Sequence, residues 1–240
     1  MPGGAVTPVP VNILLVCTAN VCRSPAAEFL LARYLGPAGA AFAIGSAGLK
    51  AVAGAPIDPK MDVLLRPRGI DTTHFTSRAV EVGMLERADL ILTASTSHRA
   101  AVVRLLPAAV RNTLSLRQLA RYAPVILQAG EGPAQVADRI PWILSGVPMA
   151  RSRAPKENDS IADPRGMSLR RYARAVDELD DACARIAPLL SPTVAVPDAG
   201  GSAARSWWSE TWGLEAEDGG AAIRSRLRFG LSARLGEGSP

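Results

Sequence analysis

Eight consecutive residues concentrate the reactive chemistry of this chain: Cys17-Thr18-Ala19-Asn20-Val21-Cys22-Arg23-Ser24, followed at once by Pro25. A tight loop that opens a helix can turn its backbone N–H groups on one point. The helix dipole adds positive potential there, so a phosphate dianion is the natural occupant. A cysteine at the mouth of such a cradle is favoured as thiolate and is nucleophilic at neutral pH. Arg23, six residues on, can grip two phosphoryl oxygens through its planar fork. Ser24 is placed to donate a hydrogen bond to the thiolate and stabilise it as a leaving group. Asn20 tolerates left-handed backbone angles and can pin the loop from within. On this reading Thr18, Ala19, Asn20, Val21, Cys22 and Arg23 surround the phosphoryl group, and Cys17 attacks phosphorus to give a phosphocysteine. Phosphoryl transfer has a loose transition state that positioning and charge largely stabilise, but the leaving oxygen still needs a general acid. The bland alternative is a buried cysteine at a strand end beside a surface arginine. The strand and capped helix expected on either side of Cys-x5-Arg-Ser weigh against it.

The flanking sequence supplies the elements that would hold the loop. Val11 to Val16 is a continuous apolar run, as in a strand buried on both faces. Ser24 and Pro25 offer an N-cap and a first-turn proline, and Gly36 stops the helix. Further strands are expected over 42–48, 89–94 and 112–116. Helices are expected over 59–65, from the cap Ser77 through Ala88, and over 97–106. The longest helical pattern is 168–190, where Leu169, Tyr172, Val176, Leu179, Cys183 and Ile186 share a face. This alternation predicts an α/β three-layer sandwich around a central, mainly parallel four-stranded sheet, with the phosphate-binding loop after the first strand. Residues 1–10 read as a flexible lead-in, 11–192 as the phosphatase domain and 193–240 as an accessory or disordered tail. A proline-dotted insertion, about 118–158, suits a helical segment with a loop.

Composition narrows the class. The chain has 240 residues, is 48% hydrophobic, and carries a formal net charge of +5. Only Lys50, Lys60 and Lys156 are lysines, and like charges form no dense run, so nucleic-acid binding is not expected. Three cysteines, Cys17, Cys22 and Cys183, do not make a secreted disulfide framework. With no signal segment or transmembrane run legible, a cytoplasmic protein is expected.

The stretch from Val16 to Glu28 resembles the signature of the low-molecular-weight protein tyrosine phosphatases of bacterial type, here with an insertion and a C-terminal extension. Val16 stands where other cysteine phosphatases normally carry His. Gly45-Ser-Ala-Gly48, Gly54-Ala-Pro-Ile-Asp-Pro59, Gly69-Ile-Asp71 and Asp89-Leu-Ile-Leu92 match family landmarks in order. The resemblance implies Cys17 as nucleophile, Arg23 as phosphate clamp and Asp163 as general acid, since Asp163-Pro164 stands in the late Asp-Pro loop before the last helix. Asp58-Pro59 is a second such dipeptide, and Asp159 is the fallback acid. No cofactor is implied, and the substrate is a phosphorylated protein or a small phosphomonoester. Two departures stand out. Ala19 replaces a usual glycine, tolerable only if its φ is not positive. No aromatic lies in 49–56 or directly after Asp163-Pro164, so a flat slot for a tyrosine ring is poorly supplied.

Competing readings are a thiol-dependent arsenate reductase, which needs resolving cysteines in mid-chain, and a non-catalytic phosphate-binding or interaction protein. A zinc site would draw on Cys17, Cys22, His74 and His98; isolated histidines and Cys-x4-Cys spacing disfavour it, and no metal is expected. His98 reads as a helix-surface residue and His74 as a loop residue. The tail holds Trp207, Trp208 and Trp212; Trp208 and Trp212 with the basic segment 221–235 suggest contact with a membrane surface or an acidic partner, against the plainer reading of a mobile tail or a flap over its own core. Cys22, four residues separated from Cys17, suggests a reversible disulfide that shields the nucleophile.

Overall fold

The computed structural model describes residues 9–194. Most of the lead-in, and the tail with its tryptophans and the segment 221–235, lie outside the described residues. Four strands form one sheet in the order β2-β1-β3-β4: β1 (Val11–Cys17), β2 (Phe42–Gly48), β3 (Leu90–Thr93) and β4 (Thr113–Ser115). Every pair is parallel, and the register sets Cys17 beside Gly48 and Val16 beside Thr93. Parallel pairing requires crossover helices, which therefore cover both faces. Leu15 and Val16 point to opposite sides of β1 and are both 0% exposed, as the apolar run demands.

One face carries α1 (Arg23–Leu35), α5 (Leu116–Gln128) and α7 (Leu169–Leu190), with α2 (Pro59–Leu65) against α7. The other face is covered by α3 (Val82–Arg87) and α4 (Thr96–Leu105), where Leu85 and Val102 pack on Leu14, Val16 and Ile91. The central parallel sheet with helices on both sides is the α/β architecture expected. α6 (Val136–Arg153) lies against α5 and α7. Among the described residues no helix is long and apolar enough to cross a membrane.

Several local expectations change. The helix after the loop starts at Arg23, not Pro25, and its N-cap position is Cys22 without a side-chain cap. Ser24 does not cap because its hydroxyl is committed to Cys17 and Asn20. No helix begins at Ser77: its hydroxyl accepts from the Ala55 N–H and donates to the Val52 carbonyl, stapling the loop over the site, and Ala79 bridges Gly48. Helix α3 therefore spans only Val82–Arg87. On α7, Tyr172, Val176, Leu179, Cys183 and Ile186 are buried as read, whereas Leu169 in the first turn is 49% exposed. The insertion holds two helices with interior prolines, Pro124 in α5 and Pro141 and Pro148 in α6.

Candidate active site

The loop joining β1 to α1 lies at the carboxyl ends of the strands, the edge where open parallel sheets bind ligands. Its carbonyls are tied outward. Cys17 O accepts from the Leu49 N–H, Thr18 O from the Lys50 N–H and Val21 O from the Asp58 N–H. In a trans peptide the N–H points opposite the carbonyl of the same unit, so the N–H groups of Thr18, Ala19 and Cys22 face the interior of the loop. The only positive φ outside glycine among the described residues is Asn20, at 54°. Ala19 thus avoids the left-handed region, which is why it can replace the usual glycine.

Asn20 is fully buried and fixes the loop from inside. The backbone N–H of Arg78 can only donate, so the Asn20 atom it meets at 2.8 Å is the carbonyl oxygen. The amide nitrogen then donates to Ser24 Oγ at 3.0 Å and Ser46 Oγ at 2.8 Å. Ser24 accepts that bond, and its Oγ lies 3.0 Å from Cys17 Sγ, where either atom can donate, and 3.4 Å from Ala47 O. Behind Ser46, burial holds the Glu28 carboxyl above the ordinary range, opposed by hydrogen bonds from Ser46 and by the Arg78 charge.

Arg23 is 5% exposed. Its Nη1 donates to Ile161 O at 3.2 Å, and its Nη2 to Asp163 Oδ2 at 2.6 Å and to Thr18 Oγ1 at 3.4 Å. Its Nε is buried without a partner among the described residues. Asp163 belongs to the loop before α7 and is half exposed. Asp159 does not reach the site: both its oxygens take the Arg121 guanidinium, at 2.8 to 3.0 Å, and the pair anchors that loop to α5. Asp58 is likewise structural, capping α2 through Lys60 N and accepting from the Tyr172 hydroxyl at 2.8 Å.

Cys22 is buried, and burial above all, then the Asp58 and Cys17 charges, pushes its thiol up to about 12. Cys183 is fully buried on α7, its Sγ 3.6 Å from Ala27 O, which leaves no accessible thiol to resolve an arsenic adduct. Among the described residues, His, Cys, Asp and Glu form no group of three suited to a metal ion.

His98 departs most from its expectation as a surface residue. It is 8% exposed, with Nε2 at 2.8 Å from Thr18 Oγ1 and Nδ1 at 2.7 Å from Ser95 Oγ. Ser95 caps α4 through the His98 N–H, and this third helical position directs the ring at the loop. His74 remains exposed near Glu28, apart from Cys17. The sequence offered a helix over 97–106 but no sign of its cap at Ser95 or of which way the ring would point.

A buried thiol with a hydroxyl donor, an arginine fork and a carboxylate converging on an anion-shaped loop define a cysteine-dependent phosphatase. The sequence model of the low molecular weight phosphotyrosine protein phosphatase family matches residues 12–140. The chain is 33% identical over 105 residues to the low molecular weight protein-tyrosine-phosphatase Ptp of Acinetobacter johnsonii, covering 44% of this chain and 71% of that one. To the protein-arginine-phosphatase of Geobacillus stearothermophilus it is 27% identical over 182 residues, covering 76% and 97%. The solved YwlE arginine phosphatase from G. stearothermophilus superposes with a TM-score of 0.55 at 27% identity, over 74% of this chain and 91% of that one. The tyrosine phosphatase AmsI of Erwinia amylovora shares the fold with a TM-score of 0.57 at 23% identity, over 76% and 95%. This chain belongs to the low molecular weight phosphotyrosine protein phosphatase family, and it is a cysteine-dependent phosphatase.

Proposed function

We propose that Cys17 is the nucleophile, Arg23 the phosphoryl clamp and Asp163 the proton donor of a two-step hydrolysis of phosphorylated protein side chains. The observation that carries this reading is the buried Nε of Arg23, without a partner among the described residues, beside Nη2, which meets the Asp163 carboxylate: one edge of the planar fork is already turned to an anionic group. Cys17 attacks phosphorus, and Asp163 gives its proton to the departing atom. Asp163 then takes a proton from water, which attacks the phosphocysteine and releases phosphate while Ser24 stabilises the leaving thiolate. With p-nitrophenyl phosphate, Cys17→Ser is expected to abolish turnover. Asp163→Ala lowers kcat by roughly 10²- to 10⁴-fold for substrates that need protonation. Turnover retained by Cys17→Ser would overturn the mechanism.

A phosphoarginine side chain is favoured over phosphotyrosine by two observations. The wall at 49–56 and the residues after Asp163-Pro164 hold no aromatic to flank a ring. Among the sequence relatives named above, the one aligned over 97% of its length is a protein-arginine-phosphatase, at 27% identity. Competing phosphoarginine and phosphotyrosine peptides, compared by kcat/KM, test this; a higher value for phosphotyrosine overturns the preference.

A further inference from the structure

Asp163 and an incoming phosphoryl group need the same donor. Once a dianion takes Arg23 Nε and Nη2, the carboxylate must leave Nη2, and the guanidinium keeps only two fixed anchors, Ile161 O and Thr18 Oγ1. Both depend on the turn between β3 and α4. The Ile161 N–H donates to Ala94 O at 2.9 Å, and its neighbour Ser160 accepts from the Thr96 N–H at 3.2 Å. Thr18 is held by His98, whose ring is in turn held by Ser95.

We propose that His98 is a positioning residue of the phosphate site, locking the Thr18 hydroxyl so that Arg23 keeps its Nε–H available to a phosphoryl oxygen. This rests on the assignment of Cys17 and Arg23 above. The Thr18–Arg23 contact, at 3.4 Å, is long and would wander with a free threonine rotor. His98 removes that freedom in either ring tautomer. If Nε2 carries the proton it donates to Thr18, and Ser95 donates to Nδ1. If Nδ1 carries it, Thr18 donates to Nε2. In both cases Thr18 Oγ1 retains a lone pair for Arg23.

A charged ring would defeat the device by repelling the guanidinium. Burial first, and the Arg23 charge second, hold His98 down to about 4, with Asp163 opposing. The amino end of α4 also disfavours a cation there. Arg23 and Asp163 are the charged groups that act on it. The contribution of His98 is therefore constant across the pH range of catalysis.

The test is a set of four variants, His98→Phe, His98→Gln, Thr18→Val and the His98→Phe/Thr18→Val pair. Each is assayed for kcat and KM with p-nitrophenyl phosphate from pH 5 to 8, and for inhibition by vanadate and by inorganic phosphate. His98→Phe is expected to raise KM and both inhibition constants about tenfold, with a smaller fall in kcat. The ratio to the parent stays flat with pH. His98→Gln, which can place an amide near the position of Nε2, recovers most of the loss. Thr18→Val matches His98→Phe, and the pair is no worse than either single variant. Unchanged inhibition constants in folded His98→Phe, additive losses in the pair, or a ratio that titrates near neutrality would each overturn the proposal. Should His98→Phe not fold, Thr18→Val with and without His98→Gln carries the same comparison: the glutamine must have no further effect once Thr18 is gone. Cys17→Ser is run alongside. Turnover there sinks the parent mechanism, whereas a dead Cys17→Ser with normal inhibition of His98→Phe sinks only the positioning role.

Discussion

At the scale of single residues, the pairing of Asp163 with Arg23 at 2.6 Å makes the proposed general acid a competitor of an incoming anion for the same guanidinium. The pair joins a buried guanidinium to a half-exposed carboxylate, so solvent screening keeps the competition modest. Asp163→Asn removes the charge and keeps the shape. Phosphate and vanadate should then bind roughly three- to tenfold tighter while turnover falls. Inhibition constants measured beside kcat check this; weaker vanadate binding in Asp163→Asn would show that the carboxylate supports the anion site. Cys17, Arg23 and Ser24 could be singled out in the sequence because all three fall within eight consecutive residues. Asp163 was legible only through resemblance, since spacing alone did not separate it from Asp58 or Asp159. In the structure Asp58 meets Tyr172 and Asp159 meets Arg121, whereas Asp163 meets Arg23. His98 was misread because its partner Thr18 is 80 residues distant, and no local pattern records that contact.

At the scale of elements, the phosphate loop keeps its shape because β2 ends in a residue without a side chain. A Cβ on Gly48 would lie 2.8 Å from both Asn20 N and Thr18 O, and the atoms in the way are backbone. Gly48→Ala must therefore push the loop outward or open the Cys17–Gly48 pairing. The expected cost is ~1–3 kcal/mol of stability, with a fall of at least about tenfold in kcat/KM, because the displaced N–H groups of the loop no longer converge. Denaturant unfolding and p-nitrophenyl phosphate kinetics on the one variant read both effects; parental values in both would show that β2 does not shape the loop. The strands and most helices were readable because apolar runs and stop residues are local signals, and 42–48 and 59–65 match to the residue. The insertion was less so. Each interior proline lowers the helical signal, yet in α5 the buried set Leu116, Leu119, Ala120, Ala123 and Ile126 still follows a helical face. Packing against α7 outweighs the lost N–H groups there. The start of α1 was displaced because the Ser24 hydroxyl is engaged by Cys17 Sγ and the Asn20 amide instead of the first-turn N–H groups.

At the scale of the whole molecule, catalysis and cohesion sit at opposite ends of the sheet. Helix α6 meets the body at the far end from Cys17, where Ala137 and Ile140 share a cavity with Val11, Asn12 and Asn112. Arg139 fastens it: this side chain is 1% exposed, and its guanidinium donates to the carbonyls of Pro188 and Leu189 at the end of α7 and of Glu131 and Pro133 before α6. Among the described residues no carboxylate shares the contact, and the charge faces the negative end of the α7 dipole and Trp142, whose ring lies 5.1 Å from the guanidinium carbon. Arg139→Met keeps much of the apolar volume but strips these carbonyls of their donor. The expected loss is ~2–4 kcal/mol in unfolding free energy. Because α7 also packs on α1, the loss should lower the unfolding midpoint of the described domain as a whole rather than release α6 alone. At temperatures well below that midpoint, KM and vanadate inhibition should stay within about twofold of the parent, since sites without shared partners act independently. A variant with parental stability, or one whose vanadate affinity falls with its stability, would show that the two ends of the sheet are coupled.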